Sequence, residues 1–207
     1  MAYLEAPPYT VKEFEFKWRN WLNNVYEQLR GPRWKVLTYA PFTGVLGSVT
    51  PPTLSSFGTG AYGREYEFNR GDLIYGEIKI PSDIVPNSQF YIDLHWSTDG
   101  TGTGNVEWVM AFALAKEGAI FPAATTLTVI DAANATAWYH SVSEVETAID
   151  IEEPETVIIG NVMRGNTSDT YSDTAAGHVF LLSIGLHYQS DRFGTVNKDK
   201  DFYRRGN

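Results

Sequence analysis

Along the chain the spacing of apolar residues changes once, near residue 36. Before that point Val11, Phe14, Trp18, Trp21, Leu22, Val25, Tyr26 and Leu29 recur mostly in steps of three and four, and Glu15, Lys17, Arg19, Asn20, Asn23, Asn24 and Glu27 fill the other side. That period marks one face of an amphipathic α-helix. Thr10 and Glu13 have capping-box spacing, so the helix is expected to start near Val11, and Gly31-Pro32 stops it. At 1.5 Å per residue the rod is roughly 28 Å long. The stripe is heptad-like over about two and a half repeats, short of the three to four that define a coiled coil. Two tryptophans and a phenylalanine on one face need a cover, from the chain's own body, a sister chain or a partner.

From residue 36 to about 190 the pattern becomes one of short strands. Residues 36–39 and 43–49 are brief extended pieces in a stretch broken by prolines and glycines, which reads as a loop-rich lead-in. Residues 64–69 and 73–80 alternate on either side of Arg70-Gly71-Asp72, the signature of a hairpin. Further strands are expected at 89–97, 105–115, 125–130, 138–151, 156–164 and 178–189, with polar, turn-forming loops at 98–104 and 165–177. Eight or so strands, one terminal helix and no βαβ alternation predict a mainly β protein, an antiparallel β-sandwich of jelly-roll type with an N-terminal amphipathic helix. The expected divisions are an anchoring arm and helix over 1–35, a loop-rich linker over 36–63, the sandwich over 64–195 and a basic tail over 196–207.

Composition narrows the function classes. A chain of 207 residues with 43% hydrophobic content makes one domain with a proper core. The absence of cysteine removes disulfides, thiolate metal sites and cysteine nucleophiles together. No apolar run approaches the roughly 18 residues of a membrane span, and the N-terminus has no basic region followed by an apolar stretch, so a soluble chain without a secretory signal is expected. The formal net charge of -9 is unevenly spread. Residues 1–35 carry six basic and four acidic groups, 36–195 six and nineteen, and 196–207 four and two, for nets of +2, -13 and +2. An acidic body repels phosphate, so neither nucleic acid nor membrane is an expected partner. The basic ends, with Lys12, Lys17, Arg19, Arg30, Arg33 and Lys35 at one and Lys198, Lys200, Arg204 and Arg205 at the other, suit acidic protein surfaces or plain solvent.

Candidate chemistry is sparse. His95 and His187 sit in matching contexts, Asp-Leu-His-Trp and Gly-Leu-His-Tyr, near the ends of expected strands. On neighbouring strands their rings would approach each other, or gather about an oligomer axis to hold an ion or anion, and Asp93 shares the His95 face and is placed to orient its ring. A metal site needs three or four converging ligands, which the sequence does not display, so no metal or cofactor is expected. The acidic pairs Glu144/Glu146 and Glu152/Glu153 lie on polar stretches and read as solvated strand edges, not as a glycosidase acid and base. No G-x-S-x-G elbow exists, and the glycine-rich run at 100–104 precedes a strand, not the helix N-terminus a phosphate cradle uses. No enzymatic activity is expected.

Two runs carry a resemblance. PNSQFYIDLHWSTDGTGTGNVEWVMAFALAKEGAIFPAATT and VIIGNVMRGNTSDTYSDTAAGHVFLLSIGLHYQSDRFGT resemble a family of tailed-bacteriophage virion proteins, through His95, Trp96, Gly104, Asn105, Val106, Trp108, Phe121, Pro122, Arg164, His187, Tyr188, Gly194 and Thr195. The likeness covers about residues 64–196. The N-terminal F-x-x-K-W-x-x-W segment is similar to virion-anchoring segments of phage tail and head appendages. Many relatives have a second histidine where Asp93 stands here, which weakens a metal reading further. The resemblance implies a structural protein of the virion, assembled in the host bacterial cytoplasm. Its helix would dock on capsid, portal, adaptor or tail proteins through Phe14, Trp18, Trp21, Leu22 and Val25, and its sandwich would project as a homotrimer. The alternative is a receptor- or carbohydrate-binding module whose loops 98–104 and 165–177, with Tyr171, face a host glycan.

Overall fold

The computed structural model describes residues 14–30, 33–41, 45–46, 50–59, 63–100, 103–166 and 172–190. Among them helix α1 (Phe14–Arg30) precedes twelve strands: β1 (Arg33–Tyr39), β2 (Val45–Leu46), β3 (Thr53–Ser56), β4 (Arg64–Phe68), β5 (Leu73–Lys79), β6 (Ser88–Thr98), β7 (Asn105–Ala115), β8 (Thr125–Ala132), β9 (Ser141–Glu144), β10 (Ile149–Ile151), β11 (Val157–Arg164) and β12 (Val179–Ser190). The strands form two antiparallel sheets. The first has the order β10-β6-β12-β4-β3, with β9 also on β6 and β1 also on β12; the second runs β2-β5-β11-β7-β8. This is the mainly β sandwich, with a short helix ahead of it, that the alternation predicts.

Period-two alternation decides what fills the space between the sheets. Phe90, Ile92, Leu94 and Trp96 of β6 and Val179, Leu181 and Leu186 of β12 face Val106, Trp108, Met110 and Phe112 of β7 and Ile158 and Val162 of β11. Trp96 and Trp108 are both wholly buried. Rings of this size bury about 150–250 Å² each, an upper figure of roughly 4–6 kcal/mol apiece in transfer free energy. Trp96 Nε1 donates to Ser143 Oγ at 2.8 Å, and Phe68 meets Trp108 edge-on at 5.5 Å between ring centroids.

Three expectations are corrected. Residues 64–80 do not form a hairpin: β4 pairs with β12 and β3 in the first sheet, and β5 with β11 and β2 in the second. Residues 69–72 are an arch across the core, because alternation shows that each segment has a buried face but not whether the two faces lie side by side or opposite. Residues 36–63 are not simply a linker. The β1 strand runs beside β12 from Arg33↔Ser190 to Tyr39↔Ile184, and β2 and β3 extend β5 and β4. Short edge strands keep much of their surface exposed, so their hydrophobic signal is faint. Finally, the expected strand over 138–151 is interrupted. Between the pairs Asp93↔Glu144 and Phe90↔Ile149, residues 145–148 stand against only residues 91–92 of β6, and Trp138 lies at φ 62° before the strand begins. The expected helix start at Val11, the stop at Gly31-Pro32 and the tail 196–207 lie outside the described residues.

Two of the crossings between the sheets, from β4 to β5 and from β11 to β12, converge on one buried ion pair. Arg164, at the end of β11, is 3% exposed and grips Asp173 with Nε on Oδ2 at 2.9 Å and Nη2 on Oδ1 at 3.1 Å. Its Nη1 and Nη2 also donate to the carbonyls of Phe68 and Ala175, at 2.8 and 2.7 Å. Asp173 accepts further from Arg70 Nε at 2.9 Å and from the Glu107 backbone N–H at 3.2 Å. Every lone pair of the carboxylate is therefore used. Arg70, which with Gly71 and Asp72 spells an Arg-Gly-Asp tripeptide, is turned toward this network, while the Asp72 carboxylate, 7% exposed, accepts from the Asn69 N–H at 2.7 Å. Asp173→Ala strands a buried guanidinium and is expected to lower stability by about 3–5 kcal/mol in urea denaturation, with Arg70→Ala, whose side chain is 31% exposed, losing clearly less. Equal losses would contradict this ranking.

Candidate functional site

The outward face of the first sheet collects the groups with chemical potential. On β6 the inward positions are apolar, so Tyr91, Asp93 and His95 point out, and β12 presents Gly185 and His187 beside them in the pairs Gly185↔Asp93 and His187↔Tyr91. Thus β6 and β12 are neighbours and bring His95 and His187 to one carboxylate. His187 Nε2 lies 2.7 Å from Asp93 Oδ2, and His95 Nε2 lies 3.4 Å from the same oxygen. With Asp93 ionised, the His187 N–H donates to it. His95 Nδ1 is 2.7 Å from His140 Nε2, one ring donating to the other. Among the described residues no three His, Cys, Asp or Glu side chains gather as metal ligands do.

Gly185 explains how a carboxylate fits there. Asp93 is 4% exposed and its Oδ1 has no hydrogen-bond partner. A Cβ built on Gly185 would stand 1.8 Å from that oxygen, so the carboxylate occupies the space a side chain on β12 would fill.

Beside this cluster lies a basin of about 510 Å³. Trp34 of β1 and Tyr91 form its aromatic wall, their ring centroids 5.7 Å apart and tilted by 56°. The opposite wall is the irregular stretch after β9, where Glu144 and Glu146 are exposed and Val145 anchors the chain, buried and donating its N–H to the Ile92 carbonyl at 2.9 Å. Among the described residues neither Glu144 nor Glu146 makes a side-chain hydrogen bond or ion pair. Sequence reasoning took Glu144 and Glu146 for solvated edge and passed over Trp34 and Tyr91. The available signal was the alternation of Tyr91, Asp93 and His95 on a strand whose other face is wholly apolar.

The other candidates are dispersed. In α1 Trp18 stacks on Trp21 at 4.9 Å, Leu22 is 44% exposed and Val25 is half-buried; the Phe14 side chain lies outside the described residues. Glu152 and Glu153 are bridged by Lys116 at 3.2 and 3.4 Å, which holds its ammonium above the ordinary lysine range. Lys35 is engaged within the chain, donating to Asp83, which also accepts from Ser190 Oγ at 2.7 Å and Tyr188 Oη at 3.1 Å. Burial pushes the Asp83 carboxyl up, but these donors outweigh it and hold it below the usual value. Burial beside Asp83 raises the Tyr188 phenol. Residues 101–102 and 167–171, with Tyr171, lie outside the described residues. His178, on the opposite end of β12, hydrogen-bonds Glu67 and lies 3.9 Å from Asp99, so its imidazole is raised above the ordinary range.

No family model and no curated protein matches the chain. Solved structures similar to it include CBM35 from Cellvibrio japonicus Abf62, at 12% identity and a TM-score of 0.42 over 73% of this chain and 92% of that one. A Bacillus thuringiensis Cry1Da tryptic core variant is similar at 11% identity and 0.46, over 75% of this chain and 23% of that one. The infectious bursal disease virus Gx strain is similar at 12% and 0.39, over 78% and 35%. These are likenesses of fold.

Two outcomes follow from the geometry. Gly185→Ala should expel the Asp93 carboxylate and release His187, lowering stability by about 1–3 kcal/mol in urea denaturation and changing the His187 ring chemical shifts; unchanged stability and ring signals would refute the close packing. For His178 the folded pKa is raised, so its contribution is complete below about 6.5 and is lost as pH rises through the folded value. Its side chain is 57% exposed, so screening holds the effect under about 1 kcal/mol. Urea titrations at several pH values should show wild type losing its advantage over His178→Gln as pH rises.

Proposed function

We propose that this chain is a non-enzymatic structural protein of a tailed-phage particle, docked through α1 on the capsid or tail and holding its sandwich outward, as a homotrimer. One observation carries the docking reading: among the described residues the buried core cluster of the sandwich includes none from α1. An amphipathic helix with a stacked tryptophan pair and an exposed Leu22 suits the recognition of another protein. The charge distribution supports the same division, since the helical end is net basic and the body net acidic. The assignment to a virion rests on the sequence resemblance across residues 64–196 and on the F-x-x-K-W-x-x-W segment.

Binding, not catalysis, is the mechanism: burial of Trp18, Trp21, Leu22 and Val25 against a partner supplies the free energy, and aromatic residues of this kind dominate such interfaces. Replacing both Trp18 and Trp21 by Ala is expected to leave the thermal unfolding of the sandwich unchanged and to abolish incorporation into particles. Normal incorporation of the double variant would refute the reading.

A further inference from the structure

We propose that the basin between Trp34, Tyr91 and Glu146 is a binding site for a neutral saccharide, independent of the docking helix. The lining dictates the ligand. Glu144 and Glu146 are acceptors only when ionised, and neither has a partner among the described residues, so the occupant must be rich in donors. Asp93 already holds His187 at 2.7 Å and closes the floor. Trp34 is 54% exposed and stands beside Tyr91, so the occupant must also offer an apolar face for stacking. A pyranose meets both demands, with hydroxyls around its edge and C–H groups on its faces. Three carboxylates exclude uronate or sulfated sugars by like-charge repulsion. The volume, about 510 Å³, falls in the ordinary range of small-molecule sites, about 300–1,000 Å³, and exceeds what one lysine or arginine side chain fills.

The site is also built into the fold. Its acidic wall exists because residues 145–148 bulge out where β6 has only residues 91–92, and Val145 pins that bulge to the core. Its aromatic wall stands on β1 and β6, strands that flank β12.

The test uses the full chain and ligand-observed saturation-transfer NMR with neutral hexose and N-acetylhexosamine disaccharides and trisaccharides, matched uronate-containing saccharides, and arginine methyl ester. At least one neutral saccharide is expected to bind with a Kd near or below about 1 mM, with Trp34→Ala and Glu144→Gln each weakening it about tenfold or more and no uronate binding. Both substituted side chains are exposed, so an unchanged melting curve confirms the fold of each variant. The proposal is overturned by no response to any neutral saccharide, by binding indifferent to both substitutions, or by binding of arginine methyl ester alone. The Trp18/Trp21 double variant should bind saccharide normally, so this result and the docking result stand or fall separately.

Discussion

The buried Arg164–Asp173 pair holds distant parts of the sandwich in one arrangement. Among the chain's several passages between the sheets, the pair ties together the one at residues 69–72 and the one between β11 and β12. Arg164 reaches the Phe68 carbonyl at the end of β4, Arg70 reaches Asp173 from the arch, and the Glu107 N–H joins from β7. A buried ion pair of this kind adds little net stability over an apolar pair of the same volume, because two charges must be desolvated. Its effect is one of position. Each partner is strongly unfavourable anywhere but opposite the other, so the crossings hold one register.

That register determines the outer face of the first sheet. With β12 fixed beside β6, Gly185 falls opposite Asp93 and His187 opposite Tyr91. The carboxylate leans into the space glycine leaves, and His187 closes on it. A one-residue slip of β12 against β6 would turn His187 into the core and Leu186 out to water. The same constraint shapes the basin, since β9 and β10 must both pair with β6 and the surplus residues between them are forced outward as a wall.

The helix and the body answer to different demands. The body draws its described core from strands and from loop residues such as Ile84 and Ala175 and carries the acidic charge, while α1 carries a stripe rich in aromatic residues. The two proposed surfaces, a helical stripe for a protein partner and a sheet face for a small polar ligand, lie on different elements of one chain.

Much of this was legible in the residues. The 3.6-residue period before position 36 and the two-residue period after it specified a helix ahead of a β-sandwich, since burial of one face leaves a direct mark on composition. The Asp-x-His spacing also placed Asp93 beside His95. Partner choice was not legible. Whether residues 64–80 fold as a hairpin or an arch, whether residues 36–63 join the sheets, and whether Tyr91 faces Trp34 all depend on which strand lies next to which. Those choices are made by contacts between residues far apart in sequence, such as Arg164 with Phe68 or Asp93 with Gly185, and a local pattern holds no record of them. The sequence alone therefore determined the layers and their faces, and only the tertiary structure decided the neighbours.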